Sequence, residues 1–129
     1  VMITLGTGVG GAMFCDGRLL RGSTGAAGEL GHQIVVPDGR PYGNAGVGGI
    51  LEAYASAGAV AERAVEAGVP QNSSLAGCSS ITCSDVFHHA RQGDAHASHI
   101  VKETARYLAI GCINASRNFD CDMVIFTGG

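Results

Sequence analysis

The apolar positions fall into blocks whose spacing changes along the chain. Val1–Leu5 is an apolar run of strand length, followed by a turn over Gly6–Gly11. Two short apolar runs, Ala12–Cys15 and Arg18–Arg21, flank Asp16-Gly17, a dipeptide suited to a tight hairpin. Gly22–Gly28 is a loop of small residues, and Gln33–Val36 predicts another strand that closes at Pro37-Asp38-Gly39. Beyond the glycine-rich stretch Gly43–Gly49 the spacing moves to three and four. Leu51, Tyr54, Gly58, Ala61 and Val65 predict one helix over Ile50–Glu66, stopped by Gly68 and Pro70. A second helix is predicted over Ser84–Gln92 with Ser84 as N-cap, and a third from about Ala95 to Asn118 with Ile100, Val101, Leu108, Ile110 and Ile113 as its apolar positions. Met123–Thr127 reads as a buried-type strand. A helix feeding a buried strand is half of a βαβ-type unit, so the class is α/β or α+β, with early hairpins and later helices.

Composition narrows the function classes. The 129 residues suit one modest domain, and 46% of them are apolar, enough for a core. A net charge of −3, no tryptophan and no basic stripe argue against a nucleic-acid partner. No apolar run approaches the roughly 18 residues of a membrane span, and the N-terminal residues lack a signal-peptide pattern. The five cysteines, Cys15, Cys78, Cys83, Cys112 and Cys121, have no framework spacing. They read as ordinary free thiols of a reducing compartment, which makes a cytoplasmic location the expectation. The openings "VMITL" and "MVIFTGG" at the two ends look like cuts through a larger protein.

The 21 glycines concentrate in loops, where they let backbone approach a ligand. Gly6, Gly8 and Gly11 match the letters G-x-G-x-x-G. A dinucleotide fingerprint needs a helix directly after the glycine turn, because the helix N-terminus binds the pyrophosphate. Here a hairpin signal follows instead, and no G-K-[ST] completes a P-loop. What remains is a hairpin tip at Gly6, Thr7 and Gly8. It is either an ordinary glycine turn or one that offers backbone N–H groups and a hydroxyl to a phosphate.

The segments "LGTGVGGAMFCDGRLLRGSTGAAGELGH", "PDG" and "LEAYAS" resemble, in order, the ROK family of sugar kinases and sugar-responsive repressors. The resemblance is dense over Val1–Ser56 and returns at "MVIFTGG". It implies the two-lobed actin-like, hexokinase-like ATPase fold with ribonuclease H-like lobes, residues 1–129 being most of a C-terminal lobe without the N-terminal one. It also implies that Gly6, Thr7 and Gly8 touch ATP phosphates and that Gly128 and Gly129 begin a glycine motif that receives adenosine. A bulky residue at Gly8 would then weaken ATP binding and spare sugar binding.

By the same resemblance Glu29 and His32 of "GELGH", and Glu52 of "LEAYAS", face the sugar. A carboxylate accepts hydrogen bonds at several lone-pair sites, which suits vicinal hydroxyls. The residues alone favour reading Glu52 as a helix-start charge. The family's structural zinc motif, C-x-C-G-x-x-G-C-x-E, is replaced by Tyr42, Asn44 and Ile50 at the cysteine positions, with one extra residue. These cannot stand in for thiolates, so zinc is not expected. His88, His89, His96 and His99 read as exposed helical histidines.

The activity implied is transfer of the ATP γ-phosphoryl group to a hexose or N-acetylhexosamine, with Mg²⁺ on the phosphates. The expected partners are the sugar and ATP, with no membrane and no nucleic acid, and homo-oligomer formation is left open. The catalytic aspartate of the family's Asn-Asp pair belongs upstream of Val1, so the 129 residues alone are expected to be inactive. The alternatives are the sugar-sensing domain of a repressor and a non-catalytic lobe.

Overall fold

The computed structural model describes residues 1–43 and 46–128. β1 (Met2–Leu5) lies at the centre of a three-stranded sheet. It pairs antiparallel with β2 (Val9–Ala12), Leu5 opposite Val9, and parallel with β5 (Ile125–Gly128), Leu5 opposite Gly128. The turn is thus confined to Gly6–Gly8, where the Gly6 N–H donates to Gly8 O at 3.0 Å. The expected turn over Gly6–Gly11 is corrected: its second half is strand. Gly10 leaves room for the Thr4 hydroxyl opposite, since a Cβ there would sit 2.7 Å from Thr4 Oγ1. β3 (Phe14–Cys15) and β4 (Arg18–Leu19) form the second hairpin around Asp16-Gly17, both with positive φ.

Gln33–Val36 is not a strand. It makes one bridge, Ile34 to Ile50, while the N–H groups of Val35 and Val36 both turn to Gly49 O. Two donors converging on one carbonyl break the even ladder that a strand requires.

The helix expected over Ile50–Glu66 is two helices, α1 (Glu52–Ala55) and α2 (Ala57–Glu66). Ser56 between them is extended, at φ −69° and ψ 158°, and its Oγ caps α2 by accepting the Ala59 N–H at 3.2 Å. The break resets the helical phase. Leu51 and Tyr54 are buried as expected, but the buried positions then become Ala59, Val60, Arg63 and Ala64, leaving Gly58 and Val65 exposed.

α3 (Cys83–Arg91) is capped by Thr82 rather than Ser84, in a capping box with Asp85. α4 (Ala95–Phe119) buries Ala97, Ile100, Thr104, Gly111 and Ala115, whereas Ile110 and Ile113 are exposed. Small residues mark the close approach: a Cβ on Gly111 would sit 2.7 Å from Leu51 Cδ2 of the preceding residue to α1. Among the described residues no helix is long and apolar enough to cross a membrane.

Among the described residues three apolar clusters form, and two of them join the larger elements. Ile3, Val9, Leu30, Leu51, Ala55 and Ala115 join the sheet to α1 and α4, and Val60, Ala64, Leu75, Val86, Ala97 and Ile100 join α2, α3 and α4. The last strand departs from the expectation of burial: Ile125 and Phe126 of β5 are 49% and 48% exposed, and Met123 before it is 62% exposed.

Buried Arg63 links α1, α2 and α4. Its Nη1 donates to Tyr54 O and to Thr104 Oγ1, both at 2.9 Å, and its Nη2 donates to Glu103 Oε2 at 2.8 Å. The guanidinium carbon lies 5.2 Å from the Tyr107 ring centroid. Arg63→Ala is expected to cost about 2–3 kcal/mol, near the lower end for a broken ion pair because Glu103 keeps some solvent, as read from urea unfolding.

Asp94 caps α4. The Ala97 N–H, then the Ser74 N–H and the Ser73 and Ser74 hydroxyls, hold its carboxyl far below the usual carboxylate range against the opposing effect of desolvation. A lowered folded-state pKa stabilises above the unfolded value and is lost as pH falls. Asp94→Ala is therefore expected to cost about 1–2 kcal/mol at pH 7. In pH-dependent unfolding the gap from the parent protein should narrow below about pH 4.

Candidate functional site

β2 is an edge strand, and alternate residues of such a strand turn both backbone polar groups away from the partner. Val9 is one of these. Its N–H donates to Glu52 Oε2 at 2.8 Å. On the same edge the Gly28–His32 segment lies backbone to backbone against β2. A Cβ on Gly31 would strike Val9 O, and one on Gly28 would sit 2.9 Å from Gly11 O. Glycine is required at both places. Gly28 also adopts φ 96°, outside the range of ordinary side chains. Glu29 and His32 are therefore displayed at the exposed ends of a short 3-10 turn, Leu30–His32, whose buried Leu30 anchors it in the core.

Glu52 opens α1, and its carboxylate reaches the Val9 N–H that directly follows the Gly6–Gly8 turn. The Ala57 N–H at the start of α2 donates to Gly6 O at 2.9 Å, so two hydrogen bonds clamp Gly6–Gly8 to the α1–α2 junction. Glu52 Oε2 would lie 2.5 Å from a Cβ on Gly8, whereas the same position on Gly6 has nothing within 4 Å. A bulky residue at Gly8 would push on the Glu52 carboxylate, so that position is not independent of Glu52. Gly6 is the position that can be filled without touching it.

Two concavities flank this centre. One, of about 620 Å³, opens at the C-terminal ends of the parallel strands β1 and β5 and is bounded by Gly6, Thr127 and Gly128. Clefts at the carboxyl ends of parallel strands are the usual ligand crevices of α/β sheets. Gly128 can carry no side chain, since its Cβ would strike Leu5 O at φ 135°. Cys83, Ser84, Phe87, His88 and Arg91 of α3 form another wall. The sequence reading missed them, although their spacing of one, three, one and three marks a single helix face.

The other concavity, of about 480 Å³, is lined by Glu29 with Gln33, Asn114 and Asn118, and by neither His32 nor Glu52. The structure thus joins Gly6, Thr7, Gly8 and Glu52 at one centre, and sets Glu29 and His32 along the same edge of β2 without bringing the two carboxylates into one pocket. Gly129 and Asn44 lie outside the described residues.

The loop before Glu52 is held by hydroxyls. Ser56 Oγ donates to Tyr42 Oη at 2.9 Å, and the Arg40 N–H donates to Tyr54 Oη at 3.0 Å. Ile50 is 1% exposed in an apolar cluster with Ala53 and Tyr54. Among the described residues no three His, Cys, Asp or Glu side chains converge as a metal-ligand set. Of the four later histidines, His88 and His99 are exposed as expected. His96 is half-buried with Nε2 donating to Ala64 O at 2.8 Å, and His89 is also half-buried, so for these two the expectation is corrected.

Relatives agree with this architecture along its whole length. The chain is 36% identical over 134 residues to a glucokinase of Halalkalibacterium halodurans, covering 100% of the chain and 41% of that protein. It is 39% identical over 128 residues to an N-acetylmannosamine kinase of Citrobacter koseri, covering 99% and 40%. The crystal structure of a ROK family glucokinase from Streptomyces griseus, in complex with glucose and AMPPNP, superposes with a TM-score of 0.86 at 36% identity, over 99% of this chain and 43% of that one. The chain therefore spans about 40% of the length of the proteins it matches. Its fold is the mixed α/β, hexokinase-like ATPase fold of those structures. The ROK family model matches residues 1–129, and with that match the chain belongs to the ROK family.

Proposed function

We propose that this chain supplies the sugar-facing carboxylates and a phosphate-binding turn of an ATP-dependent sugar kinase acting on a hexose or N-acetylhexosamine. The observation that carries the reading is the contact between Glu52 and the Gly6–Gly8 turn through the Val9 N–H. A carboxylate that grips sugar hydroxyls and a turn that receives phosphate belong side by side in an enzyme that joins the two ligands. The glucokinase that shares the fold holds glucose together with AMPPNP.

In this reading the sugar is gripped by Glu29, His32 and Glu52, and the phosphates of ATP, taken as its Mg²⁺ complex, meet the backbone of Gly6, Thr7 and Gly8. The cleft beside Gly128 takes the adenosine, with Gly129 continuing its glycine edge. The chemistry is in-line transfer of the γ-phosphoryl group to a sugar hydroxyl, and the contribution of these residues is position. Proton removal is assigned elsewhere. Asp85 and Asp94 are committed to helix caps, and Asp16, Asp38 and Asp120 sit in left-handed backbone. The Asn-Asp pair of the wider protein is the proposed source of the base, and residues 1–129 the proposed larger share of a C-terminal lobe.

The test uses the intact protein, with sugar and ATP affinities measured by calorimetry and ADP release measured with glucose and N-acetylmannosamine. Gly6→Val should weaken ATP binding at least tenfold and leave sugar affinity unchanged. Glu29→Gln and Glu52→Gln should each weaken sugar binding by about 1.5–3 kcal/mol, the Glu52 variant keeping its Val9 bond through the carboxamide oxygen. Sugar affinity lost in Gly6→Val with ATP affinity intact would overturn the assignment. Sugar binding with no ADP release would favour the sensor reading.

We further propose that the loop before Glu52 carries no structural zinc, since a buried isoleucine and a tyrosine already engaged with Ser56 stand at two cysteine positions. Elemental analysis of protein purified without added metal should give far less than one zinc per chain. A stoichiometric signal would reverse this.

A further inference from the structure

Four polar side chains outside the proposed site form a continuous chain where the 3-10 turn Ser74–Gly77 packs on α3. Asp94 Oδ2 accepts the Ser74 hydroxyl at 3.0 Å, together with the Ser74 N–H at 2.7 Å and the Ser73 hydroxyl at 2.9 Å. Ser74 has a single hydroxyl proton. With that proton given to the carboxylate, its oxygen can only accept from His89 Nδ1, which lies 2.7 Å away. Nδ1 therefore carries the imidazole proton, and Nε2 keeps a lone pair. Cys78 Sγ is 3.8 Å from that Nε2.

The order thiol, imidazole, orienting hydroxyl, carboxylate is that of an activated nucleophile whose base is fixed by a third group. The carboxylate end is firm, because the hydrogen bonds that hold Asp94 ionised also fix its position at the start of α4. Cys78 is half-buried against the α2–α3–α4 cluster, with exposed Ala76 and Gly77 before it and exposed Ser79 and Ser80 after it. A small reagent can approach along that segment. Cys78 is a free thiol, as the sequence reading has it, and its neighbour His89 is half-buried rather than exposed.

We propose that Cys78 is a reversible modification site that undergoes exchange with low-molecular-weight disulfides, with His89 as its general base. In the step, Sγ attacks one sulfur of the small disulfide as its proton passes to His89 Nε2. A new Sγ–S bond forms, the S–S bond of the reagent breaks, and the leaving thiolate takes the proton from His89. One thiol and one disulfide become one mixed disulfide and one thiol, with no further oxidant. None of Gly6, Thr7, Gly8, Glu29, His32 or Glu52 takes part, so the modification can be read without disturbing the proposed ligand contacts.

The probe is glutathione disulfide at pH 7 on the intact protein, with the modified fraction of each cysteine followed by peptide mass spectrometry. Exposed Cys15 is the reference thiol in the same molecule. Cys78 should react at least tenfold faster than Cys15, and a thiol reductant should restore the original mass. His89→Asn and Ser74→Ala should each bring Cys78 down to the rate of Cys15 or below, leaving Cys15 unchanged. A Cys78 rate no greater than that of Cys15 in the parent protein overturns the proposal without any variant. So does an unaltered Cys78 rate in a His89→Asn protein that melts at the parent temperature.

Discussion

The outward edge of β2 is the constraint around which this chain is arranged. A strand at the margin of a sheet leaves its backbone groups unpaired, and unpaired groups withdrawn from water are costly. Here the Glu52 carboxylate accepts the Val9 N–H, while Gly31 and Gly28 lie in close steric contact with Val9 O and Gly11 O. Only glycine allows the last two approaches. The same edge therefore fixes where α1 begins, where the 3-10 turn of "GELGH" lies and how the Gly6–Gly8 turn is oriented. Glu29, His32 and Glu52, which lie 20, 23 and 43 positions beyond Val9 in sequence, share one backbone as their reference.

Away from the sheet, order rests on a different device. α2, α3 and α4 close on small apolar residues, and Arg63 ties their polar seam to α1 through Tyr54 O and Glu103. Because Tyr54 also stacks on Tyr107, at 4.2 Å between ring centroids, the short helix that carries Glu52 is braced from behind. A four-residue helix has little stability of its own, so this bracing decides where its carboxylate points.

Local chemistry made several features legible in advance. Asp16-Gly17 gave a hairpin because its turn needs positive φ at both positions. The Ser56 break escaped the periodicity because its cause is tertiary: a serine whose hydroxyl serves both Tyr42 and the start of α2. Ile110 and Ile113 misled in the same way, since the close contact of α4 with Leu51 selects Gly111 and Ala115 in place of large apolar residues. The side chains of Glu29 and Glu52 could be named from the resemblance, but the hydrogen bond from Val9 to Glu52 joins positions with no shared local pattern. The partnership of Cys78 with His89 was likewise invisible, because it depends on how one short turn packs against a helix.

The exposure of β5 bears on how this polypeptide would behave as a separate body. Among the described residues the strand pairs only with β1, and it presents Ile125 and Phe126 beside a free backbone edge. An apolar, uncovered margin of that kind is a template for adding further strands, including those of identical molecules. Handled alone, the 129 residues would be prone to self-association through this margin, and their solubility would depend on whatever covers it.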